Sequence, residues 1–571
     1  MKPTRWLTAI LLLYLAHAAY LSGIAEDAYI TFRFARNLVH GYGLTWNAGE
    51  TPVEGYTSVL WVLVSALAMR LGLDAPRAAQ IIGLAAGAAT ILLAYWAGRR
   101  LAGWPVEVAL VPPLMLAVAG PFAAWATSGM ETVPFALLVL AGLFGFAAYW
   151  RSFRRRTLLA TSFTLLLATL TRPEGVLVFG VVIVLGSLSA IGDSRSHTRN
   201  ALLAAAVYVV PLAVYLAWRL GYYGYWLPNS FYAKTGGGVY QVLRGGVLTA
   251  GFGVQFVAPL VPWGLLAMWE NGAPRLAVPG IRRAAEMVRA HALVTACTAL
   301  SLAYGVYVVA IGGDYMAMHR FFVPVLAPLY CAGAAWLAVL GRSLARPGRR
   351  PAFAVIVAAT AAATAFHSMP FDERFFARPA QQHGNYRGIQ VERWSVARLT
   401  LIGRFFDSYR KSPGESLATD AIGAIGYFTD MPVYDYLGLV DTHIAHLPIA
   451  RNQERGMPGH QKADFPYIVA KRPTYLMFSR FLTPAPAPVR DFVPPEILAV
   501  VEAEYEPRSV WLQDTVNRES GYFTFLERRA RCQSYTLGNG GALDQGARDG
   551  QDLLLNGRAV RAVWGPQRVM P

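Results

Sequence analysis

The sequence predicts a polytopic α-helical membrane protein with about eleven transmembrane helices and a C-terminal mixed α/β domain outside the membrane. The 571 residues are 55% hydrophobic and 15% charged, with a mean hydropathy of +0.36, whereas soluble proteins carry about 25% charged residues. Apolar runs separated by basic turns fill the chain to about Phe366, and the composition then becomes that of a soluble domain. We therefore expect a membrane domain at residues 1–369 and a soluble domain at 370–571, and we exclude both a soluble enzyme and a disordered chain.

The first domain contains apolar runs long enough to cross about 30 Å of hydrocarbon. After a first run that ends at Ile24, they lie near residues 77–98, 105–126, 132–150, 157–172, 174–191, 200–220, 246–269, 290–312, 320–341 and 351–369. The run from Thr57 to Leu71 is too short to cross, so we interpret it as a helix lying in the outer interface. If it crossed, every later basic turn would lie outside.

The basic turns give the orientation, because Lys and Arg are enriched in cytoplasmic loops. They are Arg99–Arg100, Arg151–Arg156, Arg195–Arg199, Arg275–Arg289 and Arg342–Arg350. The sequence therefore predicts an inner-membrane protein whose N-terminus is cytoplasmic and whose C-terminal domain is periplasmic. The same orientation places residues 25–56, with interfacial helices, and the loops 127–132, 172–175, 221–245 and 312–320 outside.

The net charge of +17 does not indicate a nucleic-acid partner, because the basic residues follow the turns and form no stripe on a soluble face. Cys297 and Cys331 lie in apolar runs, and Cys532 stands alone in the tail. No disulfide within the tail is therefore possible.

The first external loop carries adjacent carboxylates at Glu26 and Asp27, followed by Arg33. A carboxylate just beyond a membrane helix must face water or bind a cation, since unpaired burial is costly. We interpret Asp27 as a base that deprotonates a hydroxyl group, with Glu26 beside it and Arg33 facing an anion. The alternative is an interfacial helix with solvated charges. Later in the loop, Glu54 and Tyr56 lie among glycines and aromatic residues, a composition that suits sugar binding.

Four further external loops carry polar residues that predict one site at the outer face of the membrane. Arginine and lysine suit a lipid phosphate, because they donate several hydrogen bonds from a positive charge. We expect Arg172, Lys234 and Arg320 to bind it, although Arg172 and Glu174 also fit a structural ion pair. The other candidates for binding sugar or acceptor are Glu131, Glu174, Asn229, Tyr232, Asp314 and His319.

Motifs for other chemistries are missing from the sequence: it has no phosphate-binding loop, no zinc-protease helix and no hydrolase nucleophile elbow. We predict no cofactor and no metal site, and energy must then arrive in the substrate or from a gradient. A divalent cation between Glu26 and Asp27 stays open as an alternative.

The soluble domain shows short apolar runs at Ser416–Asp420 and Thr474–Phe478 that predict strands, and Gly423–Tyr427 predicts a turn or a helix start. Val560–Trp564 predicts a last strand. Asp441 and His460 lie in a polar stretch that is a candidate acceptor-binding surface, with metal ligation or plain solvation as alternatives. We expect this domain to guide the acceptor to the membrane site.

Several of these motifs resemble the GT-C superfamily of polyprenyl-phosphate-sugar glycosyltransferases. Within it, the sequence is most similar to mycobacterial terminal arabinofuranosyltransferases and related pilin arabinosyltransferases. The matching segments are Glu26–Ile30, Arg33–Asn37, Val53–Ser58, Ser128–Thr132, Thr171–Gly175, Pro228–Lys234, Gly312–Asp314, Gly438–Asp441 and Gly459–Lys462. They cover most of the chain.

The resemblance implies a GT-C-like helical bundle, interfacial helices in the first external loop and a periplasmic C-terminal domain. It assigns catalysis to Asp27 and a second acidic position to Glu131, while Glu26 departs from the aspartate pair common in the family. It also implies decaprenyl-phosphoryl-arabinose as donor.

The predicted function is therefore transfer of a sugar, with arabinofuranose first, to a cell-envelope glycan or glycoprotein in a membrane-lipid environment. Mannose or another lipid-linked sugar is an alternative donor group, and a lipid or sugar transporter is the non-enzymatic alternative. A transporter's polar groups should lie near the bilayer midplane, whereas here they cluster in loops at one face.

Overall fold

The computed structural model describes residues 3–191, 198–271, 280–344, 350–367, 369, 385–529, 551–555 and 558–564. The chain forms two compact units. The membrane unit comprises Met1–Ile24, Thr57–Trp226 and Gly237–Val391. The second, which we call the sheet unit, comprises Ala25–Tyr56, Leu227–Gly236 and Glu392–Pro571. Two loops that precede residue 369 thus pack with the C-terminal region, and the domain boundary expected at 369/370 stays a prediction.

The membrane unit is helical throughout its described residues. Its α-helices are Pro3–Tyr20, Val59–Arg70, Ala75–Trp96, Val106–Ala109, Val111–Val118, Gly120–Ala126, Thr132–Ser152, Arg155–Thr171, Gly175–Ala190, Thr198–Tyr223, Gly238–Phe252, Val261–Asn271, Ile281–Ala290, Ala292–Ile311, Val323–Leu344 and Arg350–Phe366. Short π or 3₁₀ segments occur at Ala97–Leu101, Gly253–Val257, Ala258–Leu260 and Arg320–Phe322. Asn385–Tyr409 is a helix that carries the boundary between the units.

Six helices among the described residues are long and apolar enough to cross a membrane, or seven if one bent pair counts as a span. The predicted count of eleven spans is not confirmed. Arg155–Thr171, Gly175–Ala190 and Arg350–Phe366 have only 17, 16 and 17 residues. The predicted run 105–126 breaks between Val118 and Gly120 with a bend of 62°, where Pro121 starts the new helix because proline suits a first turn.

The predicted interfacial segment forms the helix Val59–Arg70, which has 12 residues. At 1.5 Å per residue it is about 18 Å long, too short to cross about 30 Å of hydrocarbon. Parts of the basic turns Arg195–Arg199, Arg275–Arg289 and Arg342–Arg350 lie outside the described residues, as does Cys532.

The sheet unit contains a seven-stranded mixed sheet whose order is β2-β1-β3-β5-β4-β7-β6. The strands are β1 Leu417–Thr419, β2 Val433–Asp435, β3 Tyr475–Leu476, β4 Tyr505–Asp514, β5 Glu519–Arg528, β6 Gln551–Leu555 and β7 Arg558–Trp564. β1 pairs in parallel with β2 and β3, and the other pairings are antiparallel. The mixed α/β domain predicted for the C-terminal region is confirmed.

Helices of the sheet unit are short, apart from the Asn385–Tyr409 helix. They are Ala28–Val39, Asn229–Lys234, Ile422–Phe428, Thr442–Ala445, Phe465–Ala470 and Leu498–Glu504, with 3₁₀ turns at Arg451–Gln453, Val489–Asp491 and Pro495–Ile497. Their apolar sides and the sheet bury a common core that includes Ala418, Ile444, Ile468, Leu476 and Leu526. Burial of each leucine or isoleucine side chain in this core provides about 1.5–3 kcal/mol. The core fixes β1, whose carboxyl end leads to the candidate site.

Candidate active site

Glu26 and Asp27 immediately precede the helix Ala28–Val39 of the sheet unit. The Glu26 carboxyl group accepts a hydrogen bond from the Ala424 N–H at 3.1 Å, and the Glu26 N–H donates to Oε1 of Glu392 at 2.7 Å. A Cβ at Gly423 would overlap the Glu26 carbonyl oxygen and would lie 2.7 Å from its carboxyl carbon. Only glycine therefore lets the first loop approach the Ile422–Phe428 helix this closely.

Enclosure of the Glu26 carboxyl group raises its pKa to about 8. Desolvation is the largest cause, followed by the negative charges of Asp27 and Glu392, while the N–H groups of Ala424 and Gly423 oppose the shift. Glu26 is thus protonated at neutral pH. The sequence predicts Asp27 as the base with Glu26 beside it, and the contacts of Glu26 to Ala424 and Glu392 hold this loop in place.

Asp27 is half-buried, and its carboxylate makes no hydrogen bond or ion pair with any residue that the structure describes. Such a group can accept a proton or a hydrogen bond from a substrate without first breaking a contact. This is the property expected of the predicted base.

Three other polar side chains lie near Asp27 in the same unit. His460, which is exposed, interacts electrostatically with Asp27, Asp420 and Lys234. A Cβ at Gly459 would lie 3.3 Å from Cγ and Cε of Lys234. The lack of a side chain at Gly459 therefore leaves room for the aliphatic part of Lys234. We call Asp27, Lys234, Asp420 and His460 the Asp27 cluster.

Lys234 and Asp420 have no hydrogen-bond or ion-pair partner within the described ranges, and both are half-buried. The cluster therefore presents two carboxylates and one ammonium group that each interact with His460 and that form no hydrogen bond or ion pair with one another in the described residues. An ammonium group can stabilise a leaving phosphate, and a carboxylate can accept the proton of an attacking hydroxyl group.

Asp420 was missed by sequence reasoning, although a signal was present. It directly follows β1, and ligands of parallel sheets bind at the carboxyl ends of strands. Glu392 was also missed, and no local pattern marks it, since its contact to Glu26 joins residues far apart in the chain.

Arg33, predicted to bind phosphate, is buried and already satisfied. Its guanidinium group donates to the carbonyl oxygens of Trp46, Gly426 and Met431 and to Oδ1 of Asn47, at 2.5–3.0 Å. It also lies 4.4 Å from the centre of the Trp46 ring. Burial, and then the charge of Arg36, lowers its pKa to about 9. These contacts favour a structural role, because a phosphate would have to displace them.

Other predicted acceptor-binding residues of the sheet unit hold its loops together. Asn229 Nδ2 donates to the carbonyl oxygens of Gly438 and Leu439 at 2.8 and 3.1 Å, and the carbonyl of the buried Glu54 accepts from the Asn229 N–H at 3.0 Å. Asp441 caps the Thr442–Ala445 helix and forms an ion pair with Lys471 at 2.7 Å.

The two predicted tyrosines of this unit differ in their surroundings. The buried Tyr56 packs edge-on against Phe34, with the ring centres 4.9 Å apart. Tyr232 is half-buried, and its ring centre lies 4.3 Å from that of the exposed His446. The sugar-binding role of Tyr232 stays a prediction.

The predicted residues of the membrane unit form buried ion pairs. Arg172 contacts Oε1 of Glu131 at 2.7 Å and Oε1 of Glu174 at 2.6 Å. Arg320 contacts Oδ2 of Asp314 at 2.5 Å, and Phe321 lies 5.3 Å from both guanidinium groups. The Arg172 contacts match the structural alternative stated for its pair with Glu174.

His319 lies next to these pairs in the chain and has a left-handed backbone, with φ of 45°. Its Nε2 is 3.2 Å from Oε1 of Gln255, and its ring packs among Phe252, Phe256 and Phe322. The side chain is thus buried in an aromatic environment.

The five predicted loops divide between the units. The loop 25–56 lies almost wholly in the sheet unit, which also takes residues 227–236 from the middle of the predicted loop 221–245, and the loops 127–132, 172–175 and 312–320 belong to the membrane unit. In the membrane unit, Arg172 joins two of these loops through its ion pairs with Glu131 and Glu174. In the sheet unit, Asp27 and Lys234 both interact with His460. A single pocket formed by all five stays a prediction. In the described part of the chain, no group of three or more His, Cys, Asp or Glu side chains is placed to hold a metal ion, and metal independence also stays a prediction.

Comparison with known proteins gives a partial family match and two curated relatives. Residues 383–531 match a family described as a domain of unknown function, DUF8728. The chain is 28% identical over 334 residues to a terminal beta-(1->2)-arabinofuranosyltransferase of Mycobacterium tuberculosis, covering 54% of this chain and 51% of the relative. A protein of the same name from Corynebacterium glutamicum is 29% identical over 350 residues, covering 54% and 47%. The chain thus spans about half the length of the curated relatives it matches.

Among solved structures, the chain is similar to ArnT from Cupriavidus metallidurans in the apo state. The TM-score is 0.54 at 14% identity, with 92% of this chain and 97% of that chain covered. This similarity shows the fold, and it confirms the predicted polytopic helical class with a C-terminal domain. Together with the apolar helices, it identifies a membrane protein whose sequence resembles terminal arabinofuranosyltransferases, as its motifs predicted.

Proposed function

We propose that this protein is a membrane glycosyltransferase that moves arabinofuranose from a polyprenyl-phosphate donor to a cell-envelope glycan or glycoprotein. The observation that carries the proposal is the Asp27 cluster, in which an unbonded carboxylate, Asp27, and an unbonded ammonium group, Lys234, both interact electrostatically with His460. The similarity to terminal arabinofuranosyltransferases supports the choice of sugar. Decaprenyl-phosphoryl-arabinose is the donor that the resemblance implies.

The reaction needs one proton acceptor and one group that stabilises negative charge. Asp27 accepts the proton of the acceptor hydroxyl group while its oxygen forms a bond to the anomeric carbon. The bond between that carbon and the phosphate oxygen breaks, and its electron pair leaves with the lipid phosphate. Lys234 neutralises the charge that develops on this phosphate. No cofactor takes part in these steps.

The proposed location is the inner membrane with the sheet unit on the periplasmic side. The positive-inside distribution of the basic turns supports this orientation. A lipid-linked donor is consistent with this orientation, because the lipid chain stays in the bilayer while the sugar-phosphate head group reaches the outer face.

The test uses purified protein, radiolabelled polyprenyl-phosphoryl-arabinose and a set of arabinan acceptors, and follows label from lipid to acceptor. Asp27→Asn should lower kcat about 10²- to 10⁴-fold, the usual contribution of a general base. The matched control is Asp491→Asn, which removes the same charge from an exposed position of the same unit.

Retained turnover in Asp27→Asn would contradict the base assignment, and movement of intact lipid donor without label transfer would indicate the transporter alternative. A parallel reaction with a polyprenyl-phosphoryl-mannose donor tests which sugar the protein transfers. Faster turnover with mannose would overturn the assignment of arabinofuranose and keep the mechanism.

A further inference from the structure

Asp420 occupies a rigid position at the carboxyl end of a central strand. β1 lies between β2 and β3 and is parallel to both, and Thr419, at its end, is fully buried. The Thr419 hydroxyl oxygen accepts a hydrogen bond from the Ala421 N–H at 3.2 Å. The residues on both sides of Asp420 are therefore held by the buried strand end, and this positions the backbone from which the Asp420 side chain extends.

The surroundings of Asp420 contain no group that neutralises it. Its electrostatic neighbours include His460 and the buried Tyr436, yet no ion pair or hydrogen bond to its carboxylate occurs in the described residues. Asp27 interacts with the same histidine and is equally unbonded. The Ala424 N–H, four residues after Asp420, donates to Glu26, the neighbour of Asp27, so the two loops that carry the carboxylates are in contact. Both carboxylates are half-buried and can accept hydrogen bonds from a ligand.

The chemistry of these groups restricts the ligand. Two carboxylates repel an anionic ligand. We therefore assign the phosphate of the lipid donor to Lys234 and not to Asp420. A metal ion lacks the further ligands it needs among the described residues. An ionised carboxylate is an acceptor only and takes up to two hydrogen bonds on each oxygen, which suits neighbouring hydroxyl groups of a sugar ring.

We propose that Asp420 binds hydroxyl groups of a sugar substrate, so that the sheet contributes the sugar-recognition side of the site that contains Asp27. This inference rests on the proposed glycosyl transfer, and it adds a specificity-determining residue to it. The sugar is either the one transferred or the terminal sugar of the acceptor, since both present hydroxyl donors.

The two carboxylates have different predicted roles because they stand on different elements. Asp27 precedes a helix of the first loop, and Asp420 follows a strand of the C-terminal region. Loss of a base lowers kcat, whereas loss of a hydroxyl-binding group mainly raises KM for the sugar that it holds. The kinetic signature therefore separates them.

The experiment compares wild-type protein, Asp420→Ala and the control Asp491→Ala on natural substrates and on deoxy analogues of the donor sugar and of the acceptor sugar. For wild-type protein, removing the bound hydroxyl group should lower kcat/KM about 10- to 100-fold, the range of a hydrogen bond to a charged group. Asp420→Ala should show a similar loss on the natural substrate and no further loss on that analogue. The analogue that shows this pattern identifies the bound sugar.

Each remaining result has one meaning. If wild-type protein transfers label but Asp420→Ala keeps the full deoxy penalty for every hydroxyl, the inference is wrong and the proposed function stands. If Asp420→Ala loses kcat at unchanged KM, Asp420 is a base and the assignment to sugar binding fails. If wild-type protein transfers no label with any donor, the proposed function itself fails. Equal thermal unfolding midpoints of the variants exclude misfolding as the cause.

Discussion

At the scale of single residues, the predicted site residues differ in whether their charges are already used. Asp27 and Lys234 are unbonded within the described ranges, whereas Arg33 and Arg172 are saturated by carbonyl or carboxylate oxygens. A sequence gives residue type and spacing but not the partner. Arg33 was therefore predicted to bind phosphate, although its guanidinium group binds the backbone of residues nearly 400 positions later.

Glu26 leads to a prediction about pH. Its pKa rises from an ordinary 4.5 to about 8 in the folded protein, so the folded state binds the proton more tightly than the unfolded state. The stability that this proton gives is complete below pH 4.5 and is lost as the pH rises through about 8. Glu26→Gln replaces the carboxyl group by an uncharged isostere. As the pH rises from 5 to about 9, the thermal unfolding midpoint of Glu26→Gln should therefore decrease less than the midpoint of wild-type protein.

Thermal unfolding in detergent, followed by circular dichroism across this pH range, measures the difference. Burial also raises the pKa of Asp435 to about 7, but this group titrates in both proteins and cancels in the comparison. The other carboxyl groups near Glu26, those of Asp27 and Glu392, are also present in both. Parallel curves for wild type and Glu26→Gln would refute the prediction.

Arg33 leads to a prediction about stability. Arg33→Met keeps much of the volume but leaves the carbonyl oxygens of Gly426 and Met431 without their guanidinium donor, while the Trp46 carbonyl keeps its hydrogen bond from Asn37 Nδ2. We expect a loss of about 2–5 kcal/mol in the free energy of unfolding. Arg490→Met is the control, because Arg490 is 76% exposed in its ion pair with Glu502, and such pairs contribute about 0–1 kcal/mol. Equal losses in the two variants, measured by denaturant unfolding, would show that Arg33 does not anchor the loop.

At the scale of elements, prediction succeeded where the local pattern decides the structure. The runs Ser416–Asp420 and Thr474–Phe478 contain the strands β1 and β3, Val560–Trp564 lies within β7, and Gly423–Tyr427 lies within a helix. The span count was less successful, because hydropathy measures the length of an apolar run and not the length of the straight helix inside it. The break before Pro121 and the short helix Gly175–Ala190 are examples.

Contact between the first loop and the Ile422–Phe428 helix leads to an element-scale prediction. Gly423→Ala adds a methyl group that overlaps the Glu26 backbone, and overpacking of this kind costs about 1–3 kcal/mol. The sign of the change in the free energy of unfolding is informative, because a Gly→Ala substitution in an unobstructed helix is stabilising by about 0.4–1 kcal/mol. Gly414→Ala is the control, since a Cβ there meets nothing within 4 Å. Thermal unfolding that shows Gly423→Ala to be neutral or stabilising would mean that the loop does not pack as described.

At the scale of the whole molecule, composition and charge placement were enough to predict a membrane protein with a C-terminal sheet domain, and the fold similarity confirms it. They could not predict that the sheet unit includes residues 25–56 and 227–236. Hydropathy assigns each loop only to a side of the membrane. Packing between loops depends on contacts such as the one from Trp46 Nε1 to the Val433 carbonyl at 2.8 Å, which no local pattern encodes.

This composition of the sheet unit predicts that the C-terminal region does not fold fully alone. A fragment of residues 392–571 lacks the first-loop side chains that bind it, including Arg33, Trp46 and Asn47. Its exposed apolar surface and solvated backbone should leave it without a cooperative thermal transition. Fusing residues 25–56 through a flexible linker should restore such a transition, and the same fusion carrying Arg33→Met should restore it only in part. Calorimetry of the fragment and the two fusions tests this. A fragment that unfolds cooperatively at the temperature of the fusion would show that the first loop is dispensable for the fold of the sheet unit.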